Sequence, residues 1–298
     1  MKKGLKIAGI VVAVILVLMI AIPFLFKDKI KEAVINTANK ELNAKLEVGD
    51  FGLNLFSNFP KATLSLNDAS LSGIGDFEGD TLLRAKSASV AINLASLFGD
   101  NYEINKISLE ETTVHAKLLK DGRANWEIMK DTTTTSSEES STPFNISLEN
   151  INIDNCKVIY EDQISDMKAV LDGWSGTISG DFSASETTLK INSTIEKLSF
   201  IKSGIPYLNE VKATADAKIK ADFDNMKYTF EQSNLQINEV KASIDGYVAL
   251  VGEEDMDFDL KLNAPSTEFK DILSLVPAMY SADFKDIKTS GKASLDAY

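Results

Sequence analysis

The sequence predicts a mainly β protein behind a single N-terminal membrane span, and three observations carry that reading. First, Val211, Ala213, Ala215, Ala217, Ile219 and Ala221 alternate without a miss against Lys212, Thr214, Asp216, Lys218, Lys220 and Asp222. Successive side chains of a strand point to opposite faces, so this segment has one dry face and one charged face; a helix would scatter the charges. Second, the same alternation recurs along most of the chain, with few helical patterns between. Third, Lys2, Lys3 and Lys6 precede an uncharged apolar run from Ile7 to Phe26. As a helix that run spans about 30 Å, the thickness of a bilayer's hydrocarbon core.

Composition narrows the function. A chain of 298 residues, 44% apolar and 25% charged, is an ordinary folded composition, enough for one large or two ordinary domains. The net charge of −13, with no basic cluster outside the N-terminus, argues against a nucleic-acid partner. Cys156 is the only cysteine, so no intramolecular disulfide forms, and no lipid-modified cysteine follows the first apolar run.

The apolar run reads as a retained anchor, with Ile7, Val11, Leu16, Ile20, Phe24 and Phe26 among its residues. A cleaved signal peptide also has a basic start and an apolar centre, but no clear small-residue cleavage site closes this run. The lysines before it suggest a cytoplasmic N-terminus, with the bulk of the chain on the far side of the membrane. Lys27, Lys29 and Lys31 on the other flank weaken that orientation. From Asp28 to about Lys45 the period becomes helical, with Ile30, Val34, Ala38 and Leu42 on one stripe. That helix either caps the start of a sheet or lies on the lipid surface.

Strand patterns follow. Phe51, Leu53 and Leu55 lead to a turn at Ser57-Asn58-Phe59-Pro60, then Ala62, Leu64 and Leu66, and Ala69 and Leu71 before Gly73-Ile74-Gly75. Ala88, Val90, Ile92 and Leu94 make one face of the next strand. Ile107 and Leu109 share a phase that shifts at Glu110-Glu111 to Val114, Ala116 and Leu118, which predicts a bulge or bend. The stretch Asp131 to Thr142 contains no apolar residue and reads as a linker rather than a dense phosphosite. The chain then divides into an anchor (1–27), a first β segment led by the helix (28–131), a Ser/Thr-rich linker (132–142) and a second β segment (143–298).

In the second segment Ile146, Leu148, Ile151 and Ile153 resume the pattern with one phase change, followed by Val158 and Tyr160. Further strands are read at Leu189–Ile195, Tyr228–Ile237 and Val240–Ile244, with Gly246 allowing a turn into Tyr247, Ala249 and Val251. Met256, Phe258, Leu260 and Leu262 alternate against Asp257, Asp259 and Lys261. Ser266 and Thr267 are positioned to cap a short helix through Phe269, Ile272, Leu273 and Val276, which Pro277 stops. The last alternating run, Ser294 to Tyr298, breaks off inside a strand pattern, which suggests a truncated protein.

Catalytic signatures are missing. His115 is the only histidine and alternates with Val114 and Ala116, so it belongs on the polar face of a strand. One histidine and one cysteine do not build a typical zinc site. There is no nucleophile elbow and no glycine-rich phosphate loop. The residues therefore point away from an enzyme, and to no cofactor, metal site or catalytic residue. The two glycosylation-like triplets at Asn145 and Asn192 read as chance.

The order of features resembles the AsmA family of bacterial envelope proteins. The span, the short helix and the strand–Phe59-Pro60–strand step come first. Phe77-Glu78-Gly79-Asp80-Thr81-Leu82-Leu83 follows, leading to Val90–Leu94 and Leu97-Phe98. Ile104 to Leu109, then Gly122, Asn125 and Trp126, match its strand and G-x-x-N-W turn. Val158–Asp162 is a second family-like step, and Phe269–Pro277 with Gly291 resembles its late step. The resemblance implies a single-pass inner-membrane anchor and a periplasmic, long, curved antiparallel sheet, taco-like, with a hydrophobic groove. It further implies lipid transport between membranes and a role in outer-membrane biogenesis, with phospholipid acyl chains as partner. On that reading Val90, Ile92, Leu94, Ile107, Leu109, Ala215, Ala217 and Ile219 face lipid. Without the resemblance the alternation points to a closed β-sandwich whose two sheets bury their dry faces against each other, an anchored scaffold or assembly factor that binds no lipid. An alanine-rich face permits close sheet approach in a sandwich and leaves lipid volume in a groove.

Overall fold

The computed structural model describes residues 27–29, 31–32, 35–58, 61–93, 104–130, 148–252, 255–273, 275 and 290–297. The expected span with Ile7, Val11, Leu16, Ile20, Phe24 and Phe26, the lipid-facing candidate Leu94, the linker and Pro277 lie outside the described residues. No helix among the described residues is long and apolar enough to cross a membrane.

Among the described residues twelve strands form one sheet in strict sequence order. They are β1 (Ala44–Asn58), β2 (Lys61–Gly73), β3 (Thr81–Asn93), β4 (Ile104–Leu118), β5 (Asn150–Asp162) and β6 (Met167–Ser179). Then come β7 (Glu186–Lys202), β8 (Ile205–Asp222), β9 (Lys227–Ile237), β10 (Val240–Val251), β11 (Asp255–Glu268) and β12 (Lys292–Ala297). The described strands therefore make one long sheet, not the two facing sheets of a sandwich. Ten of the eleven neighbouring pairs are antiparallel; β4 and β5 run parallel. Antiparallel neighbours can be joined by a tight turn, but a parallel pair needs a long return, which residues 119–149 provide.

Each of β1 to β8 breaks its alternation once, so the sequence phase flips while the apolar side chains stay on one face. The breaks fall at Gly49-Asp50, Asn67-Asp68, Lys86-Ser87, Glu110-Glu111, Asp154-Asn155, Asp172-Gly173, Glu196-Lys197 and Asn209-Glu210. Register sets them side by side: Asp50 pairs with Asn67, Asn67 with Ser87, Ser87 with Glu110, Glu110 with Asp154, and Asp172 with Lys197. Asp68, Glu111, Asn155 and Glu210 take φ of 50°, 43°, 49° and 50°, the left-handed region that reverses a strand's pleat locally. The displaced amides find hydroxyls: Asn155 N–H donates to Ser175 Oγ at 2.9 Å and Glu210 N–H to Ser199 Oγ at 3.0 Å. The phase shift read at Glu110-Glu111 is one member of this transverse seam of bulges. Ion pairs such as Lys157–Asp172 (2.7 Å) and Lys86–Glu111 cross it on the polar face.

Three expectations are corrected. Gly246 makes no turn: β10 continues through it at φ 113°, with a register shift against β9 between Ile244 and Gly246, and its backbone lies so close to β11 that an added Cβ would meet Asp259 O at 2.0 Å. The helix does not begin behind Ser266 and Thr267, because β11 continues to Glu268 and the helix is only Phe269–Leu273. The Thr267 hydroxyl instead donates to Pro265 O at 3.0 Å. The leading helix ends at residue 41, and strand β1 begins at Ala44.

Candidate functional site: the apolar face

Residues paired across neighbouring strands share a face, so the register traces rows of side chains across the sheet. One row runs Leu53, Leu64, Val90, Ile107, Ile151, Ile178, Ile191, Ala217 from β1 to β8. The next runs Phe51, Leu66, Ala88, Leu109, Ile153, Gly176, Ser193, Ala215 and on to Leu235 of β9. Val90, Ile107 and Ala217 thus lie on one row, Leu109 and Ala215 on the adjacent one. Ile92 and Ile219 share the face, beside Ile104 and Leu189. Sequence reasoning missed Ile151, Ile178 and Ile191 as links between these candidates, although each carried the alternation signal.

The face has relief. Leu64, Leu66, Val90, Ile92, Ile107, Leu109, Ile151, Ile178 and Ile191 are only half-buried, as is Ile219. Fully buried large side chains are rare, with Phe51 at 1% exposure the clearest case. On β8 the pattern inverts: Val211, Ala217 and Ala221 are buried and Ala215 is half-buried. Short side chains disappear between longer neighbours, and long ones project. Near this low ground Trp174 donates its indole N–H to Ser193 Oγ at 2.7 Å, which satisfies the ring nitrogen within the apolar face. Cys156 is buried opposite Trp174.

The family-like turn closes one end of β4. Gly122 takes φ 88°, a conformation that glycine adopts without a Cβ penalty. The buried Asn125 side chain then behaves as a piece of strand. Its Oδ1 accepts Lys117 N–H at 2.8 Å and its Nδ2 donates to His115 O at 2.7 Å, while its own N–H donates to Lys117 O at 3.0 Å. Trp126 stacks obliquely on Tyr160, ring centroids 6.0 Å apart. Further on, Asn43 N–H donates to Ile128 O at 2.6 Å, tying this segment to the start of β1.

The opposite face is polar. His115 stands there, its Nε2 3.3 Å from Glu161 Oε2. The Lys168 ammonium, 2.7 Å from Glu161, and to a smaller extent His115 hold the Glu161 carboxyl below its ordinary range. Among the described residues no cluster of His, Cys, Asp and Glu is arranged to hold a metal ion.

These features define a class: a long, mainly β protein whose single sheet carries one continuous apolar face. A model of the AsmA family matches residues 1–281, so the chain belongs to the AsmA family and is an envelope-associated, AsmA-like protein. No curated protein matches it. No solved structure matches it either.

Proposed function

We propose that this protein is a periplasmic conduit, held by a single N-terminal pass in the inner membrane, whose apolar face carries phospholipid acyl chains between membranes. Outer-membrane biogenesis is then served by lipid supply, without catalysis. The observation that carries the proposal is the half-exposed aliphatic rows. Twelve strands at about 4.8 Å spacing are on the order of 50 Å across. Laid flat and bare, an apolar face of that size far exceeds the few hundred Å² that soluble proteins leave open. Curling the sheet into a taco-like groove around acyl chains covers it, and the seam of bulges supplies local bends for that curvature.

The test is lipid co-purifying with the protein, read by native mass spectrometry, for wild type and Ile107→Asp. A carboxylate at half-buried Ile107 still reaches solvent in an open groove but interrupts the apolar path. The expected result is phospholipid on the wild type, and a folded variant with lipid lost. A lipid-free wild type together with an unfolded variant would mean a packed scaffold or assembly factor. The anchor is tested separately: protease added to spheroplasts digests the β region and leaves the N-terminus protected if the topology is right.

A further inference from the structure

The aliphatic row that runs from Leu53 to Ala217 has a polar continuation. Ala217 lies at the register shift between β8 and β9, and Ser233 follows it on β9, paired with Ile244 of β10, which in turn pairs with Leu262 of β11. Ser233 shares the apolar face with Leu235, two residues further in the same unbroken pairing with β10. It is 1% exposed, and among the described residues its Oγ is buried with no hydrogen-bond partner. In the adjacent row Gly176, Ser193 and Ala215 are equally short. The Ser193 oxygen accepts the Trp174 indole N–H, which can only donate, so the Ser193 hydroxyl keeps its own hydrogen to give. With Ala217 and Ser233 these residues make a dip across β6 to β9. Both serines stand near the middle of their strands, away from the strand ends that form the rims of a curled sheet.

We propose that this dip selects acyl chains that carry an oxygen along the chain, a hydroxyl or an ester branch, with the Ser233 hydroxyl as donor to it. The inference rests on the conduit reading above and names which chains the groove prefers. A buried hydroxyl without a partner destabilises the fold, and an acceptor brought by a ligand removes that penalty. The head group and glycerol esters of a lipid in an open groove stay at its wet mouth. An acceptor that reaches the floor at mid-strand therefore belongs to the chain itself. Short side chains around Ser233 leave room for the substituent, whereas the Leu and Ile side chains elsewhere on the row would press it out. Ile244, paired with Ser233 and only half-buried, turns aside to admit it. An unsubstituted chain offers no acceptor and leaves the hydroxyl unpaired.

The probes are 12-hydroxyoctadecanoate and octadecanoate, competed against each other for the delipidated full chain in detergent and read by native mass spectrometry. The hydroxylated chain is expected to be preferred about fivefold, the worth of one neutral hydrogen bond. Ser233→Ala is expected to equalise the two and to leave octadecanoate binding unchanged. It should melt no lower than the wild type, because it deletes a group that has no partner in the sheet. Binding of both chains without preference, a preference that survives Ser233→Ala, or a variant that melts clearly lower overturns the proposal and leaves the conduit reading standing. Binding of neither chain by the wild type overturns the conduit reading, and the proposal with it.

Discussion

Strands β4 and β8 present the same apolar face with opposite relief. On β4, Ile107 and Leu109 project and stay half-buried; on β8, Ala217 and Ala221 sink to 8% and 2% exposure between longer neighbours. Burial in this sheet therefore follows side-chain length relative to the adjacent strands, not hydrophobicity. Most of the buried apolar residues are alanines, each with little area to contribute, so stability rests on strand-to-strand pairing more than on a central core.

The sharpest break of this comparison is a pair of charges. Ala217→Asp places a carboxylate between Ile191 on β7 and the buried Ser233 region of β9, and is expected to cost about 4 kcal/mol of unfolding free energy. Ile107→Asp is expected to cost about 1–2 kcal/mol, because its position reaches water. Equal losses in urea titrations would mean that the relief does not govern burial. Next in size is Gly246→Ala. With φ at 113° and Asp259 O in the way of a Cβ, it should cost about 3 kcal/mol and shift the urea midpoint clearly.

Gly173→Ala probes the seam that keeps both halves of each strand on one face. Its φ of 67° and the nearby Glu196 Cβ at 2.9 Å predict a loss of about 1–2 kcal/mol in the same titration. The smallest effect belongs to the polar face. The folded Glu161 carboxyl sits below its ordinary value of 4.5, chiefly through Lys168. The stabilisation from this pair is therefore complete above pH 4.5 and is lost as pH falls through the lowered folded value. Lys168→Ala should flatten that acid limb of the stability profile by under about 1 kcal/mol, since the pair is partly solvated.

Much of this fold is legible in the chain because alternation is a local signal. The phase shift at Glu110-Glu111 announced a bulge, and Val211–Ala221 announced a long strand. What local pattern does not carry is partnership. Nothing in Ile104–Leu118 or Asn150–Asp162 says that these strands pair in parallel, because that depends on how residues 119–149 return. Gly246 read as a turn because glycine serves tight turns and close backbone approaches alike, and only the neighbouring Asp259 carbonyl tells them apart. Of the candidate lipid-facing residues, Val90, Ile107 and Ala217 were found singly. Their common row became visible only with Ile151, Ile178 and Ile191 in register between them.

The most direct measurement is photo-crosslinking from benzoylphenylalanine placed along two rows of the sheet in cells. One row is Ile107, Ile178 and Ala217 on the apolar face; the other is Ser108, Thr177 and Asp216, adjacent in sequence but on the polar face. An acyl-chain conduit predicts phospholipid adducts from all three positions of the first row and none from the second. Adducts from both rows alike, or protein adducts alone from the first, would contradict it.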